Sequence, residues 1–323
     1  MHSPAQNNSR GALIALAAMG IYATHDVVVK FLGESYSPVQ IVFFSALLGF
    51  PLVVLITLQD KTGGSLRPVH PWWITVRAVS MVITGVTAFY AFAKLPLAQT
   101  YAILFAAPLI ITVLSIPILG ERVRLRRWAA VIVGLIGVLV VLRPGQADLS
   151  LGHLAAMVAA VTGALASVIA RKIGQEERPV VMLMVPMLAN FAAMGAALPF
   201  VYRPMPLEHL GLLAVIAVFG LAGSFLVILA YRAGEAVIVA PMQYSQILWA
   251  TAYGYLIFDE SLDGPTALGA AIVIASGIYI VLREGRAGTS AHRPVLETRV
   301  RSETVTAPRS SILQRLLRPV GLG

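Results

Sequence analysis

The 323-residue chain is 58% hydrophobic and 12% charged, contains no cysteine and has a mean hydropathy of +0.82. Charge at about half the share of a soluble domain excludes an ordinary soluble fold, and the lack of cysteine excludes disulfides and thiolate metal sites. The net charge of +9 lies in short loops and a tail rather than on one folded face. That pattern argues against a nucleic-acid partner and for the basic cytoplasmic loops of a membrane protein.

Apolar runs of about 20 residues, each long enough to cross a hydrocarbon core as a helix, recur along the chain. The short alternating segments of an outer-membrane barrel are absent. The fold class expected is therefore an all-α polytopic membrane protein lying in a lipid bilayer. Ten transmembrane helices are expected at 11–31, 37–58, 72–93, 97–119, 127–142, 151–170, 179–200, 210–230, 236–258 and 265–282. Turn chemistry such as GESYSP, DKTGGSLRPVHP and RPGQADLS separates them.

Span 1 carries the unusual stretch YATHDVVVKF (22–31). Asp26 is the acid that lies well inside a span, roughly 8 Å from its far end. A carboxylate at that depth needs a cavity or a partner. Tyr22, Asp26 and Lys30 are spaced by four, so they share one helix face, and acid before base is the favourable order. His25 is turned about 100° from Asp26 around the helix and need not share that face. Two readings of Asp26 stand side by side. One is an ion pair that closes a gate or pins two helices. The other is a polar lining that holds substrate or carries a proton. Lys30 is near enough to the rim to snorkel.

Span 3 holds Arg77, a snorkelling candidate, and Tyr90. Span 4 opens with Gln99, Thr100 and Tyr101, which are candidates for a substrate mouth. Pro108 halfway along span 4 and Pro241 near the start of span 9 each remove a helix hydrogen bond and free a carbonyl. Span 9, APMQYSQILWATAYGY (240–255), sets Met242, Gln246, Trp249 and Tyr253 on one face. Gln243 borders that face and Tyr244 lies on another. Glutamines beside flat aromatics suit a flat ligand rich in hydrogen-bond groups. The same residues also serve ordinary helix packing. Beyond span 10, residues 286–323 are polar and Arg-rich, which is the composition of a disordered basic tail.

Residues 11–38 align without a gap on 152–179, placing Lys30 on Arg171 and Gly11 on Gly152. VLSIPILGE (113–121) lies on AYGYLIFDE (252–260), which matches Glu121 with Glu260. Both acids read as structural anchors. Repeats of five spans each, 11–145 and 146–285, must be inverted relative to one another, a recurring plan of secondary transporters. Lys and Arg in the loops number thirteen on the side of the N-terminus and three on the other. Both termini, including residues 1–10, are therefore expected in the cytoplasm.

Ten spans in two five-helix halves, GE after span 4 and DE after span 9 resemble the EamA branch of the drug/metabolite transporter superfamily. THDVVVKFLG, PLAQTYAILFAAPLIITVLSIPILGE and APMQYSQILWATAYGYLIFDE look most like its alphaproteobacterial riboflavin importers. S-adenosylmethionine uptake carriers share a similar D-x-x-x-K-x-L-G element. The resemblance implies an inner-membrane carrier working by alternating access, with no cofactor and no catalysis. It also implies a central cavity lined by spans 1, 3, 4, 6, 8 and 9. The substrate residues expected are Tyr22, Asp26, Tyr101, Gln243, Tyr244, Gln246, Trp249 and Tyr253, with Asp26, Lys30 and His25 in gating or coupling. Riboflavin is the first substrate; S-adenosylmethionine, an amino acid or a drug-like cation, imported or exported, is the alternative. A membrane-bound enzyme or receptor is a further alternative, disfavoured because the P-loop, H-E-x-x-H and paired acidic motifs are absent.

Overall fold

The computed structural model describes residues 8–58, 67–121, 123, 125–144 and 149–287. Among these every regular element is helical. The helices are α1 (Asn8–Gly33), α2 (Pro38–Leu58), α3 (Pro71–Lys94), α4 (Leu97–Leu104), α5 (Ala107–Leu119) and α6 (Leu125–Leu142). They continue with α7 (Leu151–Ile173), α8 (Pro179–Val201), α9 (Leu207–Ala233), α10 (Ala236–Val239), α11 (Gln246–Phe258) and α12 (Gly264–Ala287). A 3-10 turn, Ala240–Ser245, joins α10 to α11. The tail beyond Ala287 and the extreme N-terminus lie outside the described residues.

Helix ends follow local chemistry. Proline at the first turn opens α2, α3 and α8, where its missing N–H costs nothing. The left-handed Gly120 (φ 72°) closes α5. Among the described residues eight helices are long and apolar enough to cross a membrane, when Leu97–Leu119 is taken as one, and Pro38–Pro51 forms a shorter apolar helix. The ninth expected span fails that test because Pro241 breaks it, leaving α11 with 13 residues. In the fourth span the ring of Pro108 interrupts the ladder, and Phe105 and Ala106 form a loosened turn (ψ −6° and −16°) between α4 and α5.

α1 runs antiparallel to α9. Gly11 near its start meets Gly234 past the end of α9, and a Cβ on Gly11 would lie 2.7 Å from the Gly234 Cα. Further along, Tyr22 meets Ser224, and Tyr36 reaches His209 near the start of α9. α3 and α7 are antiparallel in the same way. Gly152 at the start of α7 packs on Leu95, Thr84 bonds Thr162 midway, and His70 meets Glu176 at the other end. Lys30 bonds the Leu95 carbonyl, so α1 finishes at the end of the bundle where α7 begins. The two helices therefore cross in opposite directions. α6 and α12 pair separately, with backbone contact where Gly137 faces Gly269. The largest core cluster gathers Val29, Leu32, Phe89, Phe92, Tyr101, Phe105, Tyr244 and Ile247 around the loosened turns.

Candidate functional site

Asp26 is fully buried, at 0% exposure. The Tyr101 hydroxyl, brought by α4, donates to its Oδ2. The His25 Nδ1 lies 2.7 Å from its Oδ1 and donates to it. This corrects the expectation that His25 points away: the imidazole folds back onto the neighbouring carboxylate and sets its ring edge-on to Phe89. Aromatic rings enclose the group. Phe92 packs on Tyr101 at 5.3 Å, Tyr101 on Phe105 at 5.9 Å, and Phe105 edge-on to Tyr244 at 5.0 Å. Phe105 belongs to the loosened turn of the fourth span and Tyr244 to the 3-10 turn of the ninth. The two proline-induced irregularities therefore touch. The shell of rings makes a charge there costly, and the two directed hydrogen bonds offset that cost.

Lys30 does not pair with Asp26. It is buried, and its Nζ lies 2.8 Å from Glu260 Oε1, 2.7 Å from the Leu95 carbonyl and 5.2 Å from the Phe258 ring centroid. One turn of helix separates Asp26 from Lys30 along α1, but each reaches a different neighbour: α4 for the acid, the end of α11 for the base. Glu260 also accepts the first amide of α4, Leu97 N–H, at 2.9 Å. The snorkelling expected for Lys30 is replaced by this ion pair. Glu121 pairs with Arg171 at 2.6 Å. Arg77 donates to the Met182 carbonyl at 2.7 Å.

Tyr22 turns its hydroxyl to Ser224 of α9, at 2.7 Å, with its ring against Gly223. On the next face of α1, Thr24 bonds the Tyr253 hydroxyl at 3.0 Å, and Gly20 lies under the Trp249 indole. Trp249 and Tyr253 stack, with ring centroids 6.3 Å apart and planes 27° from parallel, and Trp249 remains 38% exposed. Gln246, one turn before Trp249, is 7% exposed, and its Nε2 donors have no hydrogen-bond partner among the described residues. The Ser245 Oγ beside it is in the same condition. Gln243 is half-buried. Tyr244 is buried with its hydroxyl against Gly277 of α12, where even one added carbon would collide, so it faces the scaffold side of the 3-10 turn.

The structure thus forms two groups on α1. His25, Asp26 and Tyr101 form one, with Phe105 and Tyr244 beyond them. Gln246, Trp249 and Tyr253 form the other, reached through Thr24. Thr24, Ser224 and Phe89 carried no sequence signal beyond being compatible with a helix. Glu260 carried one, its match to Glu121, which pointed to an anchor but not to its partner.

A bundle of apolar helices with polar side chains and proline-loosened turns turned inward defines a membrane transport protein. A family model described as the EamA-like transporter family matches the chain twice, over residues 9–143 and 150–283, and the chain belongs to that family. It is similar to an S-adenosylmethionine uptake transporter of Rickettsia prowazekii, 27% identical over 83% of this chain and 91% of that one. It is similar to a pseudopaline exporter of Pseudomonas aeruginosa, 26% identical over 84% and 95% of the two chains. A riboflavin transporter of Rhizobium johnstonii is 27% identical over 74% of this chain and 80% of its own. A crystal structure covering 85% of this chain and 99% of its own superposes with a TM-score of 0.58 at 22% identity, which shows the shared fold.

Proposed function

We propose that the chain is a secondary carrier of the bacterial inner membrane that takes up riboflavin by alternating access. Residues 11–145 and 146–285 are then inverted five-span halves, ten passes in all. Residues 1–10 and the basic tail 286–323 face the cytoplasm, as the excess of basic residues on that side supports. The twofold match of the family model and the opposite courses of α1 and α7 support the inverted halves. One observation carries the substrate reading: a stacked indole–phenol pair, partly open, next to a buried glutamine with unused donors. Rings stack on the flat ligand face, while Gln246 and Gln243 answer the carbonyls and nitrogens at its edge. Tyr22, Tyr101 and Tyr253 add hydroxyls, and Tyr244 shapes the turn that carries Gln246. Asp26, His25 and Lys30 serve gating or coupling.

The test is growth of a riboflavin-auxotrophic bacterium on low external flavin. The chain is expected to rescue it, and Gln246→Ala or Trp249→Ala is expected to abolish rescue while the protein still reaches the membrane. Failure of the unmodified chain to rescue sinks the riboflavin reading. A second reading rests on Asp26: a buried carboxylate among aromatic rings suits a cationic substrate, as sulfonium-bearing S-adenosylmethionine is, and some relatives are named for its uptake. Asp26→Asn then abolishes uptake of that cation, whereas a neutral flavin loses only a hydrogen-bond partner.

A further inference from the structure

The Lys30–Glu260 and Arg171–Glu121 ion pairs are the same contact made twice. In each, a base near the end of a half's first helix (α1 or α7) meets an acid just past the fourth span of the other half (α11 or α5). The acids stand in matching caps. A left-handed residue, Asp259 (φ 53°) or Gly120 (φ 72°), precedes each of them. Each acid's own N–H then bonds a carbonyl six residues back, Glu260 to Gly254 and Glu121 to Ser115. A carbonyl contact supports each basic end: Lys30 donates to Leu95 O and Lys172 to Ile118 O. The pairs lie at opposite ends of the bundle, because α1 finishes where α7 begins. Both are closed in this structure, at 2.8 and 2.6 Å.

We infer that these two pairs are reciprocal gate clasps of the transport cycle, Lys30–Glu260 at the outer end and Arg171–Glu121 at the inner end. The inference rests on the alternating-access reading and goes past it by naming what holds each end shut. Each pair bridges the halves, so rocking one half on the other must part the pair at the end that opens and leave the opposite pair closed. Other contacts between the halves, Tyr22–Ser224 and Thr84–Thr162, lie midway along the helices, where rocking moves them least; the two ion pairs sit at the ends, where it moves them most. Arg171 holds Glu121 through Nη2 alone: its Nε and Nη1 are buried without hydrogen-bond partners among the described residues, so the pair is one-pronged.

The chain has no cysteine, so Thr24→Cys supplies a single reporter on the inward face of α1 below the outer clasp. The measurement is labelling of that cysteine by a membrane-impermeant maleimide applied from outside to intact spheroplasts, which needs no substrate. Glu260→Gln, which keeps an acceptor for Leu97 N–H but loses the charge, is expected to raise the labelling rate at least about fivefold. Glu121→Gln, which frees the inner end, is expected to lower it by a similar factor. Lys30→Met, which removes the charge from the other side of the pair and leaves Glu260 free to accept Leu97 N–H, is expected to raise labelling by a similar factor. Unchanged labelling in Glu260→Gln overturns the outer clasp. A rise in Glu260→Gln without a fall in Glu121→Gln overturns the reciprocity of the two clasps. Failure of flavin rescue leaves the labelling result standing, so the two readings fail separately.

Discussion

Tyr101→Phe deletes one atom, the hydroxyl that donates to Asp26 Oδ2, and leaves the ring contacts with Phe92 at 5.3 Å and Phe105 at 5.9 Å in place. Two magnitudes compete for the cost. Side-chain hydrogen bonds inside membrane bundles average about 0.6 kcal/mol, with a maximum near 1.7. A hydrogen bond to a charged group contributes about 1.5–3 kcal/mol. Asp26 has no exposure at all and is held on its other oxygen by His25, so water cannot replace the lost donor. The charged figure should win for a carboxylate that accepts from both sides. A double-mutant cycle with Asp26→Ala, which removes the acceptor without adding bulk to a fully buried site, isolates the pair from the other losses of each variant. Thermal unfolding in detergent is expected to show a coupling of about 1.5 kcal/mol or more, read as roughly 3 °C of non-additive shift in Tm. A coupling below about 1 kcal/mol would refute the charge-assisted bond, because the pair would then be no stronger than neutral interhelical contacts.

Gly269→Leu is expected to part α6 from α12, since its Cβ would lie 2.5 Å from the Gly137 carbonyl oxygen, an atom that cannot rotate away. The overpacking cost of at least about 1–3 kcal/mol should appear as loss of the monodisperse peak on size exclusion. Gly211→Ala, with no atom within 4 Å of the new carbon, should leave that peak unchanged. Tyr22→Phe should cost only about 0.6 kcal/mol in thermal unfolding, because Ser224 keeps its 2.8 Å bond to the Gly220 carbonyl. Thr24→Val should leave stability within about 0.5 kcal/mol yet loosen the Trp249–Tyr253 stack, seen as a change in indole fluorescence.

Helix limits were legible because lipid solvent writes them as hydropathy. The expected 97–119 and the observed Leu97–Leu104 with Ala107–Leu119 share their outer limits, and Pro108 announced the interruption. The extent of the interruption in the ninth span was not legible, since one proline allows either a kink or a full 3-10 turn. Helical spacing told which residues of α1 share a face. It could not tell which helix that face would meet, so Lys30 was set beside Asp26 when Glu260, 230 positions away, was its partner. The repeat already held that answer: Lys30 matched Arg171 and Glu260 matched Glu121. Only the opposite courses of α1 and α7 turn those matches into pairs. His25 was misplaced for a different reason. Helical angle fixes Cβ directions, and a side chain of two rotatable bonds bends back far enough to reach its neighbour.

The shortness of α4 has a mechanical consequence. At eight residues it is a rod of about 12 Å, bounded at one end by the loosened Phe105–Ala106 turn and held at the other by the Leu95–Pro96 link to α3 and by Glu260 on the Leu97 amide. Tyr101 rides about halfway along. A tilt of roughly 15° moves the tip by about 3 Å and the Tyr101 Cα by about 1.6 Å, enough to take the hydroxyl out of bonding range of Asp26. One short rigid element thus carries both the Glu260 contact at the rim and the Asp26 contact at depth, so any tilt of it registers at both.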